Sequence, residues 1–365
     1  MLPGYPHLQR ELRSPKQFQD AVEGAVVHLD TKAYGRPRGL ERYQFLKSFR
    51  AELKRLEHYT EEPDLILAAF FPGVSSVLCQ MKIDNGWRSK IVVDIRDIWP
   101  DAQLATANGL ARLPIQVWAL TARSQAKQDL DAADATVSVS SEYLIWARAV
   151  SNSVAVRPAA FFPIASSTMQ REIDHSVDLA GRAVFVGSVN SHFDFESMIR
   201  SWELMLRSWQ ELPLPILTIV GDGPALRWLR RRCSNLPSVR FTGQLSKRDA
   251  IRTMRGASVG IAPYHSRAMM TSTNKIAEYL ASGLFVISTL ETALCSELAK
   301  LNCLDLVRCN DTDEFATRLG LRLRQTRGEF APAAEQAHKA HFDARVVSSS
   351  FADFLESLSN EKLPR

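Results

Sequence analysis

Between residues 271 and 283 the chain reads TSTNKIAEYLASG, with Thr271, Ser272, Thr273 and Asn274 set directly ahead of a short segment of helical period. Hydroxyls, an amide and the free N–H groups of a helix start are what a phosphate needs. One turn in, Glu278 interrupts the apolar positions, and a carboxylate there can accept hydrogen bonds from a neighbouring polyol such as a ribose. A capping box does not explain Glu278, because Ser or Thr would have to stand three residues earlier and that position is Lys275. A plain i,i+3 pair of Lys275 with Glu278 on a solvated face accounts for the motif equally well.

Two further stretches carry polar residues where a parallel strand ends. VVDIRDIWPD (92–101) runs an apolar strand pattern into Asp94, Arg96, Asp97, Trp99 and Pro100. Open α/β sheets bind ligands at that end. Alternation sets Asp94 and Arg96 on one face and Asp97 on the other, so a single structural ion pair does not cover all three. ILTIVGDGPALRWLRRR (216–232) reads as strand, glycine turn, helix, with Gly221 and Gly223 at the turn. A third glycine and an acid ending the next strand are both missing, which argues against a dinucleotide site. A tight turn without a ligand is as good a reading as an anion site.

Other constellations point to structure. Asp129 and Asp131 sit at a polar helix end, away from any strand terminus, and read as a solvated face; Asp194, after His192, reads as a helix N-cap. No G-x-S-x-G, H-E-x-x-H or P-loop occurs in the 365 residues.

The elements that must hold these residues alternate between short β-rich runs and longer helical segments, the pattern of parallel α/β folds. Candidate strands are 25–31, 64–70, 90–97 and 135–140, then 183–189, 216–223, 239–245, 258–264 and 284–289. Two doubly wound, Rossmann-like domains are expected, at 1–165 and 178–343, separated by the aperiodic, proline-containing stretch 157–182. The helix candidate 344–360, within a terminal segment 344–365, is free to cross back to the first domain. In 36–57, Leu40, Tyr43, Leu46, Phe49, Leu53 and Leu56 form a core-facing stripe, while Lys47, Arg50 and Lys54 supply charge for an anionic lipid surface.

Composition narrows the class. The chain is 45% hydrophobic and 23% charged, with a formal net charge of +5, which suits a globular protein with an anionic partner. Its 5 cysteines form no C-x-x-C pair and suit a reducing, cytosolic setting. The first residues lack the layout of a signal peptide, and no apolar run reaches the ~20 residues that span a bilayer.

Taken together, VVDIRDIWPD, AVFVGSVNSHFDFESMIRSW, LTIVGDGP, VRFTGQLSKRDAIRTMRGASVGIAPY and TSTNKIAEYLASGLFVIS resemble the retaining GT-B glycosyltransferases of family 4. The similarity is greatest to their bacterial branch acting on lipid-linked saccharides of O-antigen, capsule or exopolysaccharide. The five occur in family order from about residue 25 to 310. The resemblance implies a GT-B fold and a cytoplasmic enzyme peripheral on the inner face of the plasma membrane. It also implies a nucleotide-diphospho-sugar donor as co-substrate, a saccharide acceptor on the first domain, and no metal, other cofactor or nucleic acid. Gly187, Ser188, Gly221 and Gly223 would lie by the donor phosphates, and Thr242, Gly243 and Gln244 by the nucleobase. Thr271, Ser272, Thr273 and Asn274 would receive the diphosphate, and Glu278 the ribose. Arg96, Asp97 and Lys275 would be the catalytic groups, with Lys275 stabilising the leaving diphosphate. Departures accompany the match: Met270 replaces a second acid, Asn190 and His192 replace basic residues, and Phe285 replaces a proline. The family's first strand and glycine-rich loop have no counterpart before Ala25, and the chain is expected to begin after them. A catalytically impaired, nucleotide-sugar-binding partner in a polysaccharide assembly complex is the alternative.

Overall fold

The computed structural model of the chain describes residues 40–55, 61–106, 112–166, 179–266, 268–271 and 274–360. The first half holds α1 (Leu40–Arg55), β1 (Leu65–Ala69), α2 (Val74–Asp84), β2 (Lys90–Ile95), α3 (Asp101–Thr106), α4 (Arg112–Ala132), β3 (Ala135–Ser138), α5 (Ser141–Val150), α6 (Ser153–Val156) and β4 (Ala159–Phe161). Its four strands pair in parallel in the order β1-β2-β3-β4. Ile91, Val92, Val93 and Ile95 of β2 are all fully buried. Such a run, apolar on both faces, is what a parallel strand covered on both sides requires.

The second half holds β5 (Arg182–Val186), α7 (Phe195–Arg207), β6 (Ile216–Val220), α8 (Leu226–Arg232), β7 (Val239–Gly243), α9 (Lys247–Arg255), β8 (Val259–Ala262), α10 (Asn274–Ala281), β9 (Phe285–Ser288), α11 (Ala293–Lys300), β10 (Leu304–Leu306), α12 (Thr312–Arg324), α13 (Arg327–His341) and α14 (Ala344–Asn360). The six strands are parallel in the order β10-β9-β8-β5-β6-β7. Side chains cap the helix starts: Ser140 accepts from Tyr143 N at 3.2 Å on α5, Asp194 from Ser197 N at 3.0 Å on α7, and Thr292 from Cys295 N at 3.1 Å on α11. The apolar face of α7 (Met198, Ile199, Trp202, Met205) packs on one side of this sheet, and α10 with α13 on the other. Each such fully buried side chain contributes ~1.5–3 kcal/mol.

The chain crosses between the sheets twice, side by side. Ser166 N donates to Phe342 O at 2.9 Å, and Ser166 Oγ lies 3.0 Å from His338 Nε2. Beyond the second crossing, α14 lays Phe351, Phe354, Leu355 and Leu358 over Val92, Ala135, Val137 and Phe162 of the first half. The last helix therefore covers one face of the first sheet.

Some expectations change. β4 forms inside the stretch read as a linker, and β10 was not anticipated; both are three-residue edge strands, too short to show alternation. The expected strand 25–31 lies outside the described residues. Asp129 does not face solvent. It is fully buried and accepts from Gly73 N and from Ser76 N and Oγ at 2.8 and 2.7 Å, so that α4 supplies the cap for α2. Burial pushes its carboxyl above the ordinary aspartate value, against those hydrogen bonds. On α1, Phe49 and Leu53 face the core as expected, while Lys47 and Lys54 are exposed.

Candidate functional site

In the second sheet the chain winds from β5 outward through β6 and β7, then returns to the other side of β5 with β8, β9 and β10. The loops after β5 and β8 therefore diverge at the carboxyl ends of adjacent strands, the switch point where open sheets form a ligand crevice. Both loops carry sequence-predicted residues. Gly187 and Ser188 follow β5, and Thr271 to Lys275 close the connection after β8. Gly187, at φ +141°, stacks on the glycine turn after β6: a Cβ at Gly221 (φ +136°) would strike the Gly187 carbonyl. The backbones are tied by Gly187 N to Val220 O at 3.0 Å, Val189 N to Asp222 O at 2.9 Å and Gly221 N to Gly243 O at 2.8 Å. Close layering of three strand-end loops thus accounts for Gly221, and for Gly223, whose Cβ would strike Val189 O.

Lys275 rises from the first turn of α10 into this layer. Its ammonium donates to Val186 O, with the Phe185 and Phe193 rings at 4.2 and 4.7 Å, and a Cβ on Gly187 would collide with it. A side chain at 187 would displace the ammonium, and the φ of Gly187 itself disfavours one. Lys275 is 8% exposed, and burial pulls its ammonium down to about 7, with the Glu278 carboxylate opposing the shift. The surface-pair reading of Lys275 and Glu278 therefore fails: one partner is buried, and among the described residues no salt bridge joins them. Tyr279, which the sequence reading missed, secures the same corner by accepting from Val186 N at 2.9 Å and donating to Ile261 O at 3.2 Å. Glu278 points into a separate cavity of about 170 Å³, lined also by Asn274, Lys247, Ile251, Arg255 and Ser166. Burial pushes its carboxyl up, opposed by Lys247 and Lys275. Thr242, near the end of β7, and Gln244, just beyond it, are exposed. Ser272 and Thr273 lie outside the described residues.

A crevice at a switch point, a lysine beneath a glycine loop and a half-buried acid beside it have the chemistry that an anionic, hydroxylated ligand calls for. Residues 180–324 match the family of glycosyl transferases group 1. No curated protein sequence matches the chain. Among solved structures, sucrose-phosphate synthase of Thermosynechococcus elongatus superposes with a TM-score of 0.70 at 15% identity, over 92% of this chain and 85% of that one. Trehalose 6-phosphate synthase of Burkholderia multivorans gives 0.62 at 15%, over 89% and 78%. The Anabaena protein HepE, solved in complex with UDP, gives 0.59 at 13%, over 87% and 84%. The fold is GT-B, two Rossmann-like domains, and the match to glycosyl transferases group 1 falls in the second of them.

In this GT-B frame the first domain presents β2 and β3 ends to the second. Arg96 Nε donates to Asp94 Oδ2 at 2.6 Å with the guanidinium largely exposed, and Asp97 accepts from Trp99 Nε1 at 3.0 Å. The two residues thus stand apart from Lys275, on the opposite domain. Between them lies the start of α5: Ser140 Oγ is 2.6 Å from Thr271 Oγ1, Tyr143 OH donates to Met269 O at 3.1 Å, and Glu142 Oε1 accepts from Ala293 N at 2.7 Å. The Tyr143 hydroxyl is pushed up to about 12 by burial and by the Asp97 charge, against hydrogen bonding with Thr271. Among the described residues, no group of three or more His, Cys, Asp or Glu could hold a metal ion, and no helix is long and apolar enough to cross a membrane.

Proposed function

We propose that the protein transfers a sugar from a nucleoside-diphospho-sugar to a lipid-linked saccharide acceptor, with retention of configuration, in surface polysaccharide assembly. The observation that carries the proposal is Lys275 held under Gly187 at the switch point, with Glu278 one turn along α10 in the neighbouring cavity. The diphosphate rests on the Gly187–Ser188 loop and the N–H groups that open α10. The ribose hydroxyls donate to Glu278, and the base extends towards Thr242, Gly243 and Gln244. As the donor's glycosidic bond breaks, negative charge gathers on the diphosphate, where fixed N–H dipoles and the Lys275 ammonium stabilise it. Removal of one such donor typically costs ~3–4 kcal/mol of barrier. Metal independence belongs to the proposal, since these groups supply the charge a metal would otherwise bring. Arg96 and Asp97 address the acceptor from the first domain, and the exposed Lys47 and Lys54 of α1 draw that domain to an anionic lipid surface.

One observation favours binding without transfer as a second reading. The N-terminus of α7, beside the same loop, is already occupied by the Asp194 carboxylate, and Asn190 and His192 bring no permanent positive charge. The test is turnover of UDP- and GDP-sugars with lipid-linked saccharide acceptors, in EDTA and with the product anomer read by NMR. Transfer with retention supports the proposal, binding without transfer the second reading, and neither binding nor transfer refutes both.

A further inference from the structure

A second cavity, of about 430 Å³, opens on the second sheet beside α9, lined by Arg182, Ile216, Thr218, Arg240, Thr253 and Ala257 among others. Strand register places these side chains. Val184 of β5, Thr218 of β6 and Arg240 of β7 stand in one row, and Arg182 and Ile216 in the row two residues earlier, all on one face. Met254 and Ala257, at and beyond the end of α9, pack with Val184. Ile216 and Thr218 are left half-buried, with Arg182 and Arg240 exposed on either side of them. Two strand spacings and two residues separate the arginines, so their Cα atoms lie about 12 Å apart. Among the described residues neither guanidinium meets a carboxylate, a carbonyl or a ring, whereas Arg232 is held by Glu196 and Glu203, and Arg322 by Asp305. No acid lines the cavity. Thr218 interrupts the apolar run of β6, and its hydroxyl makes no hydrogen bond among the described residues. A valine would serve the sheet as well.

We propose that this groove is a second ligand site, separate from the crevice at the switch point, for a small organic phosphate monoester. Such an ester carries about 1.5 to 2 negative charges at neutral pH. Guanidiniums match it, because each planar fork takes two phosphate oxygens. The Thr218 hydroxyl donates to a further oxygen, and the organic part of the ester covers Ile216 and Ala257. The Thr253 hydroxyl is already committed to Asp249 O at 2.9 Å. A volume of about 430 Å³ falls within the range of small-molecule sites, whereas the cavity beside Glu278, at about 170 Å³, is smaller. The two cavities lie on opposite sides of α9: Lys247, Ile251 and Arg255 wall the one, Thr253 and Gly256 the other. Both can therefore be filled at once, and the second site stands whether or not a nucleotide binds at the first.

The test is an NMR titration of phenyl phosphate, and of inorganic phosphate beside it, into the full chain labelled at isoleucine δ1 methyls. Wild type is compared with Arg182→Gln, Arg240→Gln, their pair and Thr218→Val. Wild type should bind phenyl phosphate with a Kd of about 1 mM or below. The Ile216 methyl should shift, and that of Ile251, on the wall of the Glu278 cavity, should stay. Each single arginine variant should bind at least about fivefold more weakly, the pair about 20-fold or more, and Thr218→Val about threefold, at an unchanged thermal midpoint. Inorganic phosphate, with no apolar body, should bind wild type at least about fivefold more weakly than the phenyl ester. No binding up to about 20 mM, shifts at Ile251 in place of Ile216, arginine variants that bind as wild type does, or inorganic phosphate that binds as tightly as the ester would each overturn the proposal. Sedimentation with phosphatidic acid vesicles separates a lipid headgroup from a free ester. It should be equal for wild type and the arginine pair, and a loss confined to the pair, without phenyl phosphate binding, would overturn the small-molecule site.

Discussion

Replacing Lys275 with Met keeps the length and apolar stem of the side chain but removes the ammonium that now lies between Val186 O and two aromatic rings. In the unfolded chain this lysine titrates near 10.5, and in the fold burial pulls it to about 7. Between those values the unfolded state binds more protons than the folded one, so stability rises with pH through the window and is lost as pH falls back towards 7. At ~1.36 kcal/mol for each pH unit between the two values, the limiting effect is about 5 kcal/mol across the window. The unfolding free energy of wild type, relative to Lys275→Met, should thus climb by about 1 kcal/mol per pH unit from about 7.5 to 9.5 and be flat below about 6.5. Losing the donor to Val186 O adds a constant offset of ~1 kcal/mol that does not vary with pH. The assay is urea unfolding of both proteins at matched pH, followed by tryptophan fluorescence. A pH-independent difference would mean that Lys275 titrates as an exposed lysine, and the account of a buried ammonium under Gly187 would fall with it.

Glu278→Ala should weaken UDP or GDP binding about 10-fold, the loss of one or two hydrogen bonds at ~1 kcal/mol each, with the thermal midpoint within about 2 °C of wild type; unchanged affinity in calorimetry removes Glu278 from the site. Gly187→Ala combines a φ of +141° with a collision against Lys275 Nζ, so it should destabilise by ~2–4 kcal/mol and abolish nucleotide binding, and a midpoint equal to wild type would contradict the layered loops. The pair Lys47→Glu and Lys54→Glu should reduce sedimentation with anionic phosphatidylserine vesicles at low salt, and wild-type protein that stays in the supernatant ends the lipid-surface proposal.

What was legible in the chain follows from how each feature is encoded. β2, β6, β8 and β9 lie within expected strands, and β5 starts one residue ahead of its own, because a buried parallel strand writes itself as a continuous apolar run. The cluster Thr271–Asn274 is visible as a local sequence feature, and the helix expected behind it is present as α10, which already includes Asn274. Edge strands β4 and β10 were not visible, since three residues owe their pairing to a neighbour more than to their own sequence. Asp129 was misread because the groups it satisfies, Gly73 and Ser76, lie more than fifty positions away. Lys275 carried a hint of chemistry, yet nothing local says that a lysine two turns from Gly283 is buried; its ammonium lies against Gly187, 88 positions upstream, which has no side chain. The Ser140–Thr271 contact spans 131 positions and two domains, so neither residue announces the other.

The central claim is where a nucleoside diphosphate binds. A crystal structure with UDP or GDP should show the diphosphate over Gly187, Ser188 and the start of α10, within hydrogen-bonding reach of Lys275 Nζ, and a ribose hydroxyl on Glu278. A nucleotide seated elsewhere on the molecule, or a diphosphate that leaves the Gly187 loop and Lys275 untouched, would contradict it.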